Sequence, residues 1–361
     1  MIIDAKGEVV GSLREGICFD DVLLQPRYSA IESRADIDIG SELGGRHYSL
    51  PIISSPMDTV TEGPMAAEVF DCGGLGIIHR YNAIDLQQKH IEETWDLMAQ
   101  NFLGHAEDFD PIIGAAIGVS GDYIERASAC VASGARVLCI DVAHGHHVLV
   151  KNALSRLRKI YDSKTVHLMA GNVATLEAFN DLADWGAESI RVGVGGGSIC
   201  STRIQTGHGV PTLQSILDCA QSDRSALLIA DGGIKTAGDI TKCLAAGADF
   251  VMLGSLLGAT DESPGELFTN AQGNQYKVYR GMASKEAQMD WRGNTSSLEG
   301  VSTTIPYKGA VAFILGELQR AIRSGFSYTG ATNLQELQAR AKFIRQTNAG
   351  QIESSTHILR R

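Results

Sequence analysis

The segment Gly193-Val194-Gly195-Gly196-Gly197-Ser198-Ile199-Cys200-Ser201-Thr202-Arg203 sets one thiol at the end of a run with almost no side chains. Such a run lets the backbone approach a ligand closely. A thiol on that loop, with the Thr202 hydroxyl two residues on, is a candidate nucleophile. The loop also reads as a phosphate cradle in which Cys200 is incidental. It lacks the G-x-x-x-x-G-K-[ST] pattern, and a dinucleotide G-x-G-x-x-G should open the first βα unit, not follow a sixth strand. The other cysteines, Cys18, Cys72, Cys130, Cys139, Cys219 and Cys243, read as small buried hydrophobes.

Asp231-Gly232-Gly233 and Gly254-Ser255 end two further apolar runs. Backbone N–H groups of Gly233, Gly254 and Ser255 can hold a phosphate, and Asp231 can accept hydrogen bonds from a ribose diol. Plain turns between elements are the other reading. Ser55 and Met57 would complete such a pocket. In Asp141-Val142-Ala143-His144-Gly145-His146-His147 three histidines and a carboxylate invite a metal, but no further ligand lies at helical spacing. A polar ligand contact or a solvated loop is the better reading there. Neither G-x-S-x-G nor H-E-x-x-H occurs.

These loops need a scaffold, and the hydrophobic pattern supplies one. Apolar, β-branched runs at 50–54, 75–79, 112–117, 137–142, 166–171, 189–194, 226–230 and 250–253 alternate with amphipathic stretches at 64–70, 83–100, 123–132, 148–161, 176–185, 212–221, 237–245 and 311–323. Strands that are apolar throughout, each followed by a helix, imply a parallel sheet covered by helices. Eight such units imply an α/β fold, the closed (β/α)₈ TIM barrel, with an N-terminal extension and a long flap after strand eight. Ser133-Gly134-Ala135, Gly186-Ala187 and Gly247-Ala248 recur at corresponding places, each glycine read as the cap of one helix before the next strand. In a barrel the chemistry sits at the C-terminal ends of the strands, where all the loops named above fall. Residues 256–308 form an excursion too long for an ordinary connection, and so a lid or a disordered segment.

Composition narrows the partners. With 31 basic and 42 acidic residues the net charge is −11, which excludes a nucleic-acid-binding face. A small anion can still be held by backbone N–H groups. The start lacks a positive segment followed by an apolar core, and no uncharged apolar run is long enough to span a membrane. Seven scattered cysteines without C-x-x-C spacing read as reduced thiols, so a cytoplasmic location is expected.

The chain resembles the inosine monophosphate dehydrogenase and guanosine monophosphate reductase family. The motifs that carry the resemblance are Phe19-Asp20-Asp21-Val22-Leu23-Leu24-Gln25-Pro26, Ser54-Ser55-Pro56-Met57-Asp58, Gly73-Gly74-Leu75-Gly76-Ile77-Ile78-His79, Gly171-Asn172-Val173, Gly197-Ser198-Ile199-Cys200-Ser201-Thr202-Arg203, Ala230-Asp231-Gly232-Gly233-Ile234, Tyr279-Arg280-Gly281-Met282 and Pro306-Tyr307-Lys308-Gly309. The resemblance implies a barrel that assembles as a homotetramer or octamer, in which the Cys200 thiolate attacks C2 of a purine 5′-monophosphate. Thr202 and Glu299 would be the proton relay at C2. Ser198, Tyr279, Gly281, Met282 and Ser284 would join Ser55, Met57, Asp231, Gly233, Gly254 and Ser255 around the nucleotide. Asp141, Asn172 and Gly193 would face the dinucleotide, NADPH or NAD. Carbonyls of Gly195, Gly197 and Cys200 would hold a monovalent cation such as K⁺, helped by Glu353 and Ser354 of a neighbouring subunit.

Both branches of the family share one covalent intermediate. The reductase expels ammonia from guanosine monophosphate and returns hydride from NADPH, whereas the dehydrogenase sends hydride from inosine monophosphate to NAD⁺ and hydrolyses the intermediate. Residues 101–111 leave no room for the inserted regulatory (CBS) domain usual in dehydrogenases, so the chain, 1–361, reads as one catalytic domain with a flap at 256–308. In that flap Trp291-Arg292 stands where dehydrogenases carry the Arg-Tyr pair that activates water. Both features favour the reductase. Met57-Asp58-Thr59-Val60-Thr61-Glu62, Arg80 in place of a lysine, and the ending at 349–357 favour the dehydrogenase. A catalytically silent purine nucleotide sensor is the reading from a different class, and the presence of Cys200, Thr202 and Glu299 argues against it.

Overall fold

The computed structural model describes residues 2–3, 9–11, 14–102, 110–295 and 298–354. Part of the 101–111 connection, the end of the 349–357 motif and most of the first residues lie outside them. Eight parallel strands close into a barrel in sequence order: β1 (Ile52–Ser54), β2 (Leu75–Ile78), β3 (Ile113–Ile117), β4 (Ala135–Asp141), β5 (His167–Val173), β6 (Ser189–Val192), β7 (Leu227–Asp231) and β8 (Phe250–Leu253). The ring is completed by β8 on β1, with Val251 opposite Ile52. Around it run α1 (Gly63–Asp71), α2 (Ile84–Asn101), α3 (Tyr123–Ala132), α4 (Val148–Ile160), α5 (Leu176–Asp184), the one-turn α6 (Thr202–Thr206), α7 (Thr212–Cys219) and α8 (Ala237–Ala245).

Strand periodicity sorts the side chains into two layers. On β4, Leu138 and Ile140 pack outward under the helices, while Val137 and Cys139 point into the barrel with Ile53, Ile77, Met169, Ile229 and Phe250. Each fully buried aliphatic side chain contributes about 1.5–3 kcal/mol. The same alternation carried one step further brings polar groups into the mouth: Asp141 after Cys139, Gly171 after Met169, Asp231 after Ile229, Gly254 after Met252 and Ser55 after Ile53. The opposite end is plugged by a hairpin that the hydrophobic pattern does not announce, Ser41–Leu43 with Arg46–Tyr48. Leu43 and Tyr48 are buried in the interior layer, and the Tyr48 ring meets Phe250 edge-on at 5.8 Å.

The repeated glycines stand one residue beyond the helix caps, which are Ser133, Trp185 and Ala246. Gly134, Gly186 and Gly247 adopt φ of +114°, +107° and +113°, the conformation that turns the chain from helix into strand. At Gly186 an added Cβ meets nothing within 4 Å, so alanine there is opposed by backbone conformation alone. Gly186→Ala is expected to lower stability by about 1–2 kcal/mol, seen as a lower urea midpoint with unchanged kcat, because the residue lies at the end of the barrel remote from the loops. Cys18 departs from expectation, since it is exposed before a short turn, whereas Cys130, Cys139, Cys219 and Cys243 are buried. Burial pushes the thiols of Cys130, Cys139 and Cys219 up to about 12.

The described residues of the 256–308 excursion carry their own secondary structure. They form an antiparallel sheet of β9 (Phe268–Thr269), β10 (Gln275–Arg280) and β11 (Ser302–Pro306), with α9 (Lys285–Arg292) between the last two strands. The chain then resumes the barrel pattern with α10 (Val311–Thr329), six residues longer than its amphipathic pattern predicts.

Candidate active site

The Gly-rich loop leaves β6 and ends at α6, and the flap is stitched to it. Ser201 N–H donates to Glu299 O at 2.8 Å, Val301 N–H to Ile199 O at 3.0 Å, and Cys200 bridges Gly300. This pairing brings the Glu299 carboxylate to the hydroxyl two residues past the thiol. Cys200 Sγ donates to Thr202 Oγ1 at 3.1 Å, and Thr202 Oγ1 donates to Glu299 Oε2 at 2.8 Å. Thiol, hydroxyl and carboxylate thus form a one-directional chain able to draw a proton from sulfur and return it to a leaving group.

A cavity of about 440 Å³ opens before this chain, within the range of small-molecule sites. At one end Gly254 and Ser255 from the β8 loop meet Ser55 and Met57 from the β1 loop. A Cβ on Gly254 would stand 2.8 Å from the Tyr279 hydroxyl and 3.3 Å from Met57 Sδ, so a side chain there would fill the cradle. Tyr279 Oη donates to Met57 Sδ at 4.0 Å, and burial pushes this phenol up to about 12. Gly233, Gly281 and Met282 also line the cavity.

A salt-bridge network that the motif reading overlooked lies beneath the floor. Arg191 projects inward from β6. Its Nη1 donates to Asp141 Oδ1 at 2.6 Å, and its Nε and Nη2 donate to Asp231 Oδ2 at 3.2 and 2.9 Å. Burial opposes its charge, but Asp231, Cys139 and Asp141 together hold its pKa well above the ordinary arginine value. Both amide hydrogens of Asn172 are committed, to Gly193 O at 2.9 Å and to Asp231 Oδ2 at 2.8 Å. Gly193 has no room for a side chain: its φ is +149°, and a Cβ would fall 1.9 Å from Asp231 O. The signal for Arg191 was present in strand parity, since residues 189, 191 and 193 share one face.

The remaining expected residues sit elsewhere. Ser284 is fully buried, and its hydroxyl accepts from Ala287 N–H as the N-cap of α9. Glu353 and Ser354 lie on the C-terminal helix Asn348–Glu353 and its cap, outside the cavity lining. The histidines of the β4 loop are used locally: His146 Nε2 lies 2.8 Å from Asp181 Oδ2, and His147 caps α4. Among the described residues no cluster of His, Cys, Asp and Glu is suited to a metal ion, and no helix is long and apolar enough to cross a membrane.

The flap roofs the other end. The Trp291 ring meets Tyr81 edge-on at 4.8 Å between two guanidinium groups, Arg80 at 5.2 Å and Arg292 at 3.9 Å from its centroid. Tyr81 Oη in turn donates to Asp141 Oδ2 at 3.4 Å. Arg280 fastens the flap with bonds to Asp58 Oδ2 at 2.6 and 3.0 Å.

The closed parallel barrel with this cavity at the C-terminal ends of its strands defines a TIM-barrel enzyme. The IMP dehydrogenase / GMP reductase domain model matches residues 16–357, and the chain belongs to that family of purine nucleotide oxidoreductases. It is 34% identical to the inosine-5′-monophosphate dehydrogenase of Nitrosopumilus maritimus, over 95% of this chain and 98% of that protein. It is 32% identical to the GMP reductase of Leishmania major, over 96% and 97%. The crystal structure of GMP reductase from Trypanosoma brucei in complex with guanosine 5′-monophosphate matches with a TM-score of 0.88 and 31% identity, over 96% of this chain and 98% of that one. The two sequence alignments run over 472 and 480 positions against 361 residues here, so both relatives contain stretches with no counterpart in this chain. The missing stretches therefore do not distinguish the two reactions.

Proposed function

We propose that the protein is a GMP reductase, converting guanosine monophosphate to inosine monophosphate and ammonia through a thioimidate on Cys200. The thiol–hydroxyl–carboxylate chain supports the covalent step that both branches share, and the observation that carries the reductase reading is a flap whose Arg292 is stacked on Trp291. Thr202 draws the Cys200 proton toward Glu299, and sulfur bonds to C2 of the purine. The C2–N bond to the exocyclic amine breaks, and the relay returns its proton to the departing ammonia. A reduced nicotinamide dinucleotide held beside Asp141 and Asn172 would supply one hydride to C2. Loss of the C–S bond then restores the thiolate.

The cavity's donor set fits these ligands. N–H groups at Gly233, Gly254 and Ser255 suit a phosphate, and the Asp231 carboxylate suits a ribose diol. Asn172, with its N–H groups spent, offers a carbonyl acceptor for a ribose hydroxyl on the dinucleotide side beside Asp141. NADPH is the cofactor proposed. For a cation such as K⁺ the loop offers the carbonyls of Gly195, Gly197 and Cys200, of which Gly197 O already accepts from Cys200 N–H at 3.1 Å. A bound cation therefore needs further oxygens, and a homotetramer in which a second copy brings its Glu353 and Ser354 is the assembly proposed.

Beside the sequence features named above, the dehydrogenase reading is favoured by a structural observation, that Arg292 lines the same cavity as Cys200. Nicotinamide absorbance separates the two. Oxidation of NADPH with guanosine monophosphate is expected, and activity with inosine monophosphate and NAD⁺ alone would overturn the proposal. Glu299→Gln keeps the shape but removes the proton acceptor. It should lower kcat about 10²-fold with little change in nucleotide KM. A kcat equal to that of the parent enzyme would remove Glu299 from the relay.

A further inference from the structure

Lys308 follows β11 and is a surface residue whose ammonium turns inward onto the loop after β8. Its Nζ donates to three backbone carbonyls, those of Ser255, Leu256 at 3.3 Å and Gly258 at 2.9 Å. Its own backbone N–H donates to Ala259 O at 2.9 Å, and Asp261 N–H donates to Gly309 O at 3.0 Å. Residues 255–259 are thus wound around a single cation. Inside the same turn Gly254 O accepts from the N–H groups of Leu257 at 3.0 Å and Gly258 at 2.9 Å.

Peptide planarity converts this into a direction. The N–H and C=O of one trans peptide point to opposite sides. Because Gly254 O faces into the turn and Ser255 O faces Lys308, the N–H groups of Ser255 and Leu256 point away from both. Ser255 and Gly254 are the residues that line the cavity beside Met57 and Tyr279. The winding is tight enough to hold Ala259 at φ +60°, a left-handed position without a glycine that costs about 1–2 kcal/mol. Something must offset that cost, and the Lys308 bonds on either side of it do so.

We infer that Lys308 is a positioning residue for the phosphate of the substrate: an ammonium behind the 254–258 turn that aims its N–H groups into the cavity and adds positive potential from outside. The inference rests on the nucleotide reading above, since it is the phosphate of a purine 5′-monophosphate that those N–H groups would meet. In a chain of net charge −11, a cation bound to carbonyls on the far side of the turn is an economical source of attraction for an anion.

The test compares guanosine monophosphate with guanosine, which lacks the phosphate, by calorimetry on the full chain. The parent protein should prefer the monophosphate. Lys308→Met should reduce that preference about tenfold or more, equivalent to ~1.4 kcal/mol, while guanosine affinity stays within about threefold. A preference within about twofold of the parent overturns the inference, as does equal loss of both ligands, which would mean general damage to the pocket. Should Lys308→Met fail to fold, Lys308→Gln keeps two N–H donors without the charge and decides by the same criterion. A parent protein that binds guanosine as tightly as the monophosphate overturns the nucleotide reading itself, so the two failures are distinct.

Discussion

Cys200→Ala is expected to abolish turnover, lowering kcat on the order of 10⁴-fold or more, while guanosine monophosphate still binds within a few-fold of its original affinity. The split follows from what the thiol touches. The thiol donates to Thr202, and the groups proposed to hold phosphate and ribose, at Ser55, Asp231, Gly254 and Ser255, come from three other strands. Removing sulfur therefore deletes the bond to C2 and leaves the binding surface in place. Cys200→Ser is the sharper control, since it keeps a hydroxyl in the hydrogen-bonded chain but lacks the thiolate's nucleophilicity. Rapid-quench measurement with a labelled nucleotide should trap a protein-bound adduct in the parent enzyme and none in either variant. Unchanged turnover in Cys200→Ala would eliminate the covalent route and favour a barrel whose chemistry uses another group, whereas a parent protein that binds the nucleotide without turning it over would be a nucleotide sensor.

The barrel was legible because most strands are apolar on both faces and every unit repeats, so that eight strands and their helices could be placed from residue types alone. Most of the mouth was legible for a related reason: glycines and polar residues at strand ends have few structural uses other than a site. Other parts were hidden by chemistry of longer range. The Ser41–Leu43 hairpin plugs the barrel through Leu43 and Tyr48, whose burial depends on a partner, Phe250, some two hundred residues away. The Cys200–Thr202–Glu299 chain depends on backbone pairing between the β6 loop and the flap, which no local pattern encodes, and Glu299 was reached only through resemblance. Ser284 shows the converse, a polar residue beside a functional motif whose hydroxyl is used to start a helix. The flap reads as a lid or a disordered segment because its strands are short and polar on one face, yet β10 and β11 pair over five positions.

Arg191 gives the second large effect, and it tests how far the floor of the site is also its foundation. Replacing it with methionine keeps the volume of the stem and removes the charge that Asp141 and Asp231 share. Breaking a buried ion pair by deleting one partner leaves an uncompensated charge and typically costs about 3–5 kcal/mol. That is a large fraction of the ~5–15 kcal/mol that stabilises an ordinary domain. Arg191→Met is therefore expected to shift the urea midpoint sharply, and activity should fall even where the variant remains folded, because Asn172 is held through the same Asp231 oxygen. Arg191→Lys should recover little, since one ammonium cannot reproduce a guanidinium that reaches Asp141 with one nitrogen and Asp231 with two others. The double variant Arg191→Met with Asp231→Asn separates charge from shape: if the penalty is electrostatic, removing one stranded carboxylate should return part of the lost stability, a coupling between touching residues that single changes cannot reveal. Simple additivity of the two losses would instead mean that Arg191 is chiefly a packing element, and that Asp141 and Asp231 keep their positions without it.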